Sequence, residues 1–370
     1  MSKPSALHNN SNDIGDNYND DNSSSSSNNN SNSNNSGTEP ASSHKRRATS
    51  SPKPLPPKQL VKLEEGNTRE DDLKKEPLSN AAQVAQHYNT RRVLGVEGRL
   101  HTRITGLRLF NNWVKSVLIS QYAYPGCRVL DLGCGKGGDL KKWVIAAIGE
   151  YVGMDIAQVS VSHAHQRFLA LRSPSFEARF YAQDCYGDPL ENTLQPPDYQ
   201  ADIISAQFCL HYAFESESKV RQMLHNVSSH LRTGGTFVIT IPNANWLMWM
   251  MKNKKSTTFG NSVYTVKFER EEPVTLYGFP YAFTLDEAVE DCTEYLVHLP
   301  SFVELAETFD LVLVYSKGFH DFYYEKLMDR KYVELFHRMR VVDEERPSIS
   351  DDEWEAIGIY LTVVFRKKMK

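Results

Sequence analysis

The strongest indication of a ligand-binding site in the sequence is a glycine-rich segment. It reads Val129-Leu130-Asp131-Leu132-Gly133-Cys134-Gly135-Lys136-Gly137-Gly138-Asp139 and lies where an apolar strand is predicted to turn into a helix. Glycines at such a turn let a ligand approach the backbone closely. Gly133, Gly135 and Gly138 also satisfy the GxGxxG pattern of dinucleotide-binding proteins, so the pattern by itself leaves the ligand open.

Three aspartates lie near the carboxyl ends of predicted strands. Asp131 precedes the first glycine by two residues, Asp155 ends the second strand and Asp184 follows the third. Asp155 can accept both ribose hydroxyls of an adenosine, and Asp184 can accept the adenine amino group. Such a site needs no diphosphate clamp and therefore favours S-adenosylmethionine. The alternative is that these acids are helix caps or turn residues, but three of them at three strand ends favour a ligand site.

Strands and helices alternate from Cys127 onward. The pattern predicts strands over 128–132, 151–155, 180–182, 202–206 and 235–240. It predicts helices over 139–147, 157–171 and 219–231, after two earlier helices over 81–88 and 107–122. This alternation predicts an α/β fold: a mainly parallel, Rossmann-like sheet with helices on both faces.

The pattern changes after Pro242. A helix is predicted over 243–252, and residues 264–282 are rich in strand formers and turns, which predicts a small β insertion. Alternation returns with a helix over 302–309 and strands over 311–314 and 359–365.

The first 80 residues differ in composition from the rest. Residues 8–43 are dominated by Asn, Ser and Asp, and a basic cluster (44–47) and a proline-rich run follow. Such a segment buries too little apolar area to offset its ordering entropy, so we predict a disordered tail over 1–80. The basic cluster is either a solvated linker or a weak nuclear-import or RNA-tethering patch. The folded domain is predicted to span 81–370.

Bulk composition limits the class of protein. The 370 residues carry a formal net charge of -4, which argues against indiscriminate coating of nucleic acid but allows a local basic pocket. Five cysteines include no CxxC pair, so neither a zinc site nor a disulfide framework is expected. No secretory signal and no apolar run long enough for a membrane span are apparent.

Beyond the glycine loop, several segments resemble the eukaryotic mRNA cap (guanine-N7) methyltransferases, a family of class I S-adenosylmethionine-dependent enzymes. The similarity covers nearly all of residues 81–370, and the Phe-Asn-Asn-Trp and Phe-Cys-Leu-His-Tyr blocks are its most specific parts. The segments outside the glycine loop are Val84-Ala85-Gln86-His87-Tyr88-Asn89, residues 107–116, residues 207–215, Ile241-Pro242-Asn243, residues 277–283 and Glu353-Trp354-Glu355.

The resemblance implies two sets of site residues. The implied cofactor-binding residues are Lys115, Gly133, Asp155, Asp184, Gln207 and Tyr212. The residues implied to bind the mRNA cap are Asn111, Asn112, Lys136, Lys142, Arg167, His211, Glu294 and Tyr360.

Physical roles can be attached to several of these residues. Lys115 suits the methionine carboxylate, and Lys136, Lys142 and Arg167 suit the triphosphate bridge. The alternative is that these cations are ordinary surface residues. Glu294 can accept guanine N1–H and N2–H₂, which distinguishes guanine from adenine. His211, Tyr212, Tyr360 and two further aromatic residues, Tyr281 and Phe283, are candidate walls of the base pocket.

The implied reaction moves a methyl group to guanine N7 by direct in-line displacement. N7 carries a free lone pair at neutral pH, so we assign no catalytic acid, base or nucleophile, and expect positioning to supply the rate. Three alternatives remain: an NAD-dependent oxidoreductase, a methyltransferase of another substrate, and a scaffold that binds capped RNA without turnover. The resemblance also implies a nuclear protein whose partners are the capped RNA 5′ end and, further, RNA polymerase II or other capping enzymes.

Overall fold

The computed structural model describes residues 79–90, 102–271 and 274–369. The predicted tail over 1–80 therefore lies almost entirely outside the described residues. Within the described ranges, no helix is long and apolar enough to cross a membrane.

The helices and strands follow the alternation that the sequence predicts. The helices are α1 (Asn80–Thr90), α2 (Thr105–Tyr122), α3 (Leu140–Ile145), α4 (Gln158–Leu169), α5 (Glu217–His230), α6 (Ala244–Lys254), α7 (Leu299–Glu307), α8 (Phe319–Lys326), α9 (Arg330–Arg338) and α10 (Asp351–Ile357). The strands are β1 (Arg128–Leu132), β2 (Glu150–Asp155), β3 (Glu177–Ala182), β4 (Ala201–Gln207), β5 (Leu231–Pro242), β6 (Thr258–Gly260), β7 (Tyr264–Phe268), β8 (Pro280–Leu285), β9 (Val289–Tyr295), β10 (Leu311–Gly318) and β11 (Tyr360–Lys367). Two 3₁₀ helices span Leu190–Asn192 and Leu210–Glu215.

Seven strands form one mainly parallel sheet in the order β3-β2-β1-β4-β5-β11-β10. The first five strands are mutually parallel, β11 is antiparallel to β5, and β10 is antiparallel to β11. The order reverses direction on either side of β1, so the carboxyl ends of β1 and β4 border a crevice. The Rossmann-like class I methyltransferase fold is thus confirmed.

Apolar residues cover both faces of this sheet. In β1, Val129 packs with α2 and α3 on one face, while Leu130 packs with α5 and α7 on the other. This alternation follows from the period of two along a strand. Helices therefore lie on both faces, as predicted.

The β insertion is larger than the sequence indicates. Four antiparallel strands, β6 to β9, form a second sheet that ends at Tyr295, whereas the prediction ended at residue 282. The strand β9 reads Val-Glu-Asp-Cys-Thr-Glu-Tyr, and its acidic residues hide its strand character. This strand matters because it carries Glu294.

The helix α10 fixes the start of α2. Ser350 and Glu353 form a capping box at the N-terminus of α10. The same Glu353 carboxylate accepts the backbone N–H of Leu107 at 3.0 Å, an N–H that the first turn of α2 leaves without a helical partner. A side chain at Gly106 would come within 2.9 Å of this carboxylate. The contact sets the position of α2, which carries Asn111, Asn112 and Lys115.

Candidate functional site

A cavity of about 270 Å³ opens at the carboxyl edge of the sheet, and we call it the edge cavity. It lies beside the ends of β1, β2 and β4, and α1 forms part of its wall. All six residues predicted to hold the cofactor line it: Lys115, Gly133, Asp155, Asp184, Gln207 and Tyr212. The structure thus brings the whole predicted set together.

The loop after β1 forms the floor of the edge cavity. Gly133 and Gly135 have φ values of +69° and +53°, a region that side chains disfavour. A Cβ at Gly133 would lie 2.6 Å from the Cys209 sulfur, whereas a Cβ at Gly135 would meet nothing within 4 Å. Sequence reasoning assigned Gly133 to leaving room for the ligand. Both glycines line the edge cavity, Gly133 also makes room for Cys209, and the contact of Gly133 with a ligand stays a prediction.

Two carboxylates of the edge cavity are fixed by backbone N–H groups. Asp155 accepts hydrogen bonds from Gly135 at 2.8 Å and from Ala157 at 2.9 Å. Asp184 accepts from Tyr186 and Gly187, both at 3.0 Å. Because a carboxylate has about four lone-pair sites, each keeps acceptor capacity for a ligand hydroxyl or amino group. Burial raises the pKa of Asp155, and its two backbone donors oppose the shift.

A buried ion cluster joins the edge cavity to α2 and α3. One oxygen of Asp139 lies 2.8 Å from the ammonium groups of both Lys115 and Lys142. Lys142 also donates to the Asn112 amide oxygen at 3.0 Å. Burial by itself would raise the pKa of Asp139, but the two cations outweigh it and hold that pKa below its usual range. The cluster carries one net positive charge and fixes the orientation of Lys115.

Asp131 lies deepest among the acids of the edge cavity. It is fully enclosed and accepts a hydrogen bond from the Tyr151 hydroxyl at 2.8 Å. Burial first, and then the Asp139 carboxylate, raise the pKa of Asp131 from 3.8 to about 7. Asp131 therefore gains or loses a proton near neutral pH.

Gln207 and Tyr212 are held by different neighbours. The amide of Gln207 donates to the Val238 carbonyl at 3.2 Å and accepts from the Thr240 hydroxyl at 3.1 Å. The Tyr212 hydroxyl lies 3.1 Å from that of Tyr88, which belongs to α1 and also lines the edge cavity. Tyr212 therefore links the helix α1 to the cavity wall.

A second buried group surrounds Glu294, and we call Glu294, His211, Tyr281 and Tyr360 the Glu294 pocket. The Tyr281 hydroxyl donates to one Glu294 oxygen at 2.7 Å, and His211 Nε2 lies 3.3 Å from the other. That second approach lacks hydrogen-bond geometry, so both ring nitrogens of His211 remain without a partner among the described residues. Tyr360 packs edge-on against Phe208, with ring centroids 5.0 Å apart.

The remaining predicted cap residues lie at several places around this edge. Asn111 sits on α2, and its side-chain oxygen is buried without a hydrogen-bond partner in the described ranges. Lys136 lies in the glycine loop and Arg167 on α4, and both are half-buried. None of the eight predicted cap residues lines the edge cavity itself. Their contact with a ligand stays a prediction.

Sequence reasoning missed several residues of the site. Asp139 ended the glycine motif but received no role, although its position after the loop signals a partner for the nearby lysines. Tyr88 and Phe208 lie in segments that resemble the cap methyltransferases, and this resemblance was the signal that could have identified them as site residues. Other lining residues without a predicted role are Asn80, Ala81, Val84, Cys134, Ile156, Cys185, Tyr186, Cys209, Glu215 and Lys219.

The sequence model of a family described as mRNA (guanine-N(7))-methyltransferase domain matches residues 72–368. A protein of Schizosaccharomyces pombe (strain 972 / ATCC 24843) named mRNA cap guanine-N(7) methyltransferase is 43% identical over 296 residues, which cover 77% of this chain and 82% of that protein. A protein of the same name from Saccharomyces cerevisiae (strain ATCC 204508 / S288c) is 34% identical over 339 residues, 84% of this chain and 77% of that protein.

Two Cryptococcus neoformans relatives of the same name are longer. For strain B-3501A the identity is 46% over 289 residues, which cover 77% of this chain and 41% of the relative. For strain JEC21 the aligned part covers 47% of the relative. The chain thus spans less than half the length of these two proteins.

Proposed function

Because the chain belongs to the mRNA (guanine-N(7))-methyltransferase family, we propose that the whole protein methylates N7 of the guanine that caps messenger RNA. The methyl donor of this family is S-adenosylmethionine. One observation carries the proposal: the edge cavity and the Glu294 pocket meet at consecutive residues. Tyr212 lines the cavity, His211 contacts Glu294, and their ring centroids are 4.4 Å apart.

The edge cavity fits S-adenosylmethionine by its chemistry. Asp155 offers acceptors for ribose hydroxyls, Asp184 for the adenine amino group, and Lys115 a cation for the methionine carboxylate. The open space at Gly135 admits a ligand against the backbone. When bound, S-adenosylmethionine supplies a methyl group on a positively charged sulfur.

The Glu294 pocket fits guanine. Tyr281 occupies one oxygen of Glu294 and fixes the carboxylate plane, leaving acceptor capacity for N1–H and N2–H₂. Adenine offers no N–H donor at the corresponding positions, so its binding would leave the second oxygen of the buried Glu294 carboxylate without a donor. Asn111 and His211 each hold buried polar atoms without partners in the described ranges, a cost of about 1–3 kcal/mol each that a bound cap can offset.

The residues of this chain act by binding the cap and the methyl donor and by orienting them relative to each other. N7 needs no proton removed, so His211 serves as a pocket wall and not as a base. Lys136 and Arg167 neutralise the triphosphate bridge together with Lys142, whose cluster with Lys115 and Asp139 carries one net positive charge. Orientation of this kind can contribute about 7–11 kcal/mol to lowering the barrier.

Radiolabelled methyl transfer tests the proposal. Purified protein is incubated with labelled S-adenosylmethionine and GpppG-ended RNA, and nuclease digestion locates the label. We expect the label at N7 of the cap guanine, with GpppA-ended RNA also methylated on its cap guanine and small-molecule acceptors left unlabelled. Label at a ribose hydroxyl, or none at all, would contradict the proposal; turnover with a nicotinamide cofactor would revive the oxidoreductase alternative.

We also propose a nuclear location and recruitment by transcribing RNA polymerase II or other capping enzymes, supported by the family and by the basic cluster at 44–47. Residues before Ser79 form the proposed recruitment tail, and the cut belongs there because Asn80 and Ala81 line the edge cavity. A chain that starts at Ser79 should keep its activity in vitro but lose nuclear enrichment of a fluorescent fusion. Loss of activity would contradict this boundary.

A further inference from the structure

The helix α6 presents an aromatic residue to solvent. Trp249 is 57% exposed, while Leu247, Met250 and Met251 on the opposite face are buried. Asn245 and Lys252 lie one turn before and about one turn after Trp249, on the same side of the helix, and both are exposed. The exposed indole offers a flat aromatic face on which a nucleic-acid base can stack.

The same segment carries only positive charge. Residues 244–268 contain four lysines and no acidic residue, in a chain that has 46 acids and 42 Lys and Arg residues. Lys252, Lys254 and Lys255 are exposed, and none of them forms an ion pair with another described residue. We call Trp249 and these three lysines the α6 face. Its charge is complementary to a polyanion.

The helix α6 begins beside Tyr360 of the Glu294 pocket, because Tyr360 pairs with Pro242 at the end of β5. Asn243 is the N-cap residue of α6 and directly follows β5 in the chain. Its backbone N–H donates to the carbonyl of Ile359 at 2.6 Å, and Ile359 directly precedes Tyr360. Asn243 and Asn245 form one wall of an open groove of about 730 Å³. From Asn243, Trp249 lies about 9 Å further along the helix axis.

The other wall of this groove repels phosphate. It carries Asp321 and Glu325, and its cation, Lys317, is already paired with Glu325 at 2.6 Å. A polyanion that enters this groove is therefore directed away from α8 and toward α6.

We propose that the α6 face binds the single-stranded RNA that follows the cap. A base of the first transcribed nucleotides stacks on Trp249, and Lys252, Lys254 and Lys255 neutralise the adjoining phosphates. Stacking on an indole tolerates any base, which suits an enzyme whose substrates share only the cap. The inference rests on the proposed function and adds to it an RNA contact beyond the cap.

The first test compares a short substrate with a long one in the full-length protein. Trp249→Ala should raise the KM for capped RNA of about 15 nucleotides roughly tenfold and leave kcat and KM for the GpppG dinucleotide unchanged. Trp249→Phe, which keeps an aromatic ring, should restore most of the affinity. The matched control is Met328→Ala, a residue 89% exposed between α8 and α9, which should change neither substrate.

The second test uses salt. Replacement of all three lysines by glutamine should reduce the slope of log affinity against log salt by about 2 for capped RNA, measured by fluorescence anisotropy. Lys331→Gln on α9 serves as the charge control and should leave the slope unchanged.

Distinct outcomes separate this inference from the proposed function. If wild-type protein fails to methylate GpppG, the function fails, and anisotropy still decides whether the α6 face binds RNA. Equal loss on GpppG and capped RNA, or unchanged RNA binding in both the tryptophan and lysine variants, would overturn the α6 inference. Unchanged RNA binding together with lost binding of a capping or polymerase protein would reassign the surface to a protein partner.

Discussion

The edge cavity and the Glu294 pocket hold their key carboxylates in different ways. Asp155 is held by the backbone N–H groups of Gly135, which lies in the glycine loop, and of Ala157. Asp184 is held by the backbone N–H groups of Tyr186 and Gly187. Glu294 is held by side chains, with Tyr281 as its hydrogen-bond donor and His211 beside it. The first arrangement depends on local backbone geometry, and the second depends on packing between distant segments.

The edge cavity and the Glu294 pocket should therefore respond differently to mutation. A backbone clamp stays in place when neighbouring side chains change, so the position of Asp155 should tolerate substitutions around it better than the position of Glu294 does. The Glu294 pocket shares hydrogen bonds among side chains, so loss of one member leaves another without a partner.

Asp155→Ala should abolish cofactor binding. The variant loses the charge-assisted hydrogen bonds to both ribose hydroxyls, so S-adenosylmethionine affinity should fall by about 1000-fold or more in calorimetry. Asp188→Ala, a change at an exposed acid on the loop after β3, is the control. Near-normal affinity in Asp155→Ala would remove the ribose role and the contrast with it.

Glu294→Ala should reduce kcat/KM for GpppG-ended RNA by about 100-fold, because guanine loses its acceptor and the Tyr281 hydroxyl loses its partner. Cofactor affinity should stay within about twofold, since none of the residues around Glu294 is needed to clamp Asp155. Glu294→Gln, which keeps an acceptor for Tyr281, should retain the thermal stability that Glu294→Ala loses. Parallel loss of cofactor affinity would show that the two sites are one unit.

Asp131→Asn should make folding less dependent on pH. The pKa of Asp131 is about 7 in the folded state and 3.8 ordinarily, so between these pH values the folded state holds a proton that the unfolded state releases. The stability that this proton contributes is fully present below pH 3.8 and is lost as the pH rises through about 7. The variant does not titrate here, so its stability relative to wild type should rise by about 2–3 kcal/mol from about pH 5 to about pH 7. Urea unfolding at a series of pH values measures this, and parallel curves would refute the assigned pKa.

Tyr88→Phe should give the smallest effect. It removes the hydroxyl that meets Tyr212 at 3.1 Å while keeping the ring, so S-adenosylmethionine should dissociate about fivefold faster, as expected for one neutral hydrogen bond. Gln86→Ala, at an exposed position of α1, is the matched control for stopped-flow release. An unchanged dissociation rate would mean that α1 does not help to retain the cofactor.

Local patterns account for what could be predicted from the sequence. The apolar residues of β1 and the glycines after it predicted the strand, the turn and the cofactor-binding edge. The six cofactor residues were implied by the family resemblance, and all six line one cavity. The helices α8, α9 and α10 were missed, although α9 is strongly amphipathic and buries Tyr332 and Phe336 against the residues of α2. The strand β9 was missed because its acids mask the alternation.

The α/β fold and the cofactor-binding edge of the sheet could be predicted from sequence alone. The alternation along a strand and the conformation of a glycine each depend on only a few neighbouring residues. Only the tertiary structure decided how the Glu294 pocket and the Asp139 cluster assemble. Their members come from the segments at 112–142, 211, 281–294 and 360, and burial of charge among side chains so far apart in sequence depends on how the two sheets and α2 pack. That packing is a property of the whole fold, so no local pattern contains it.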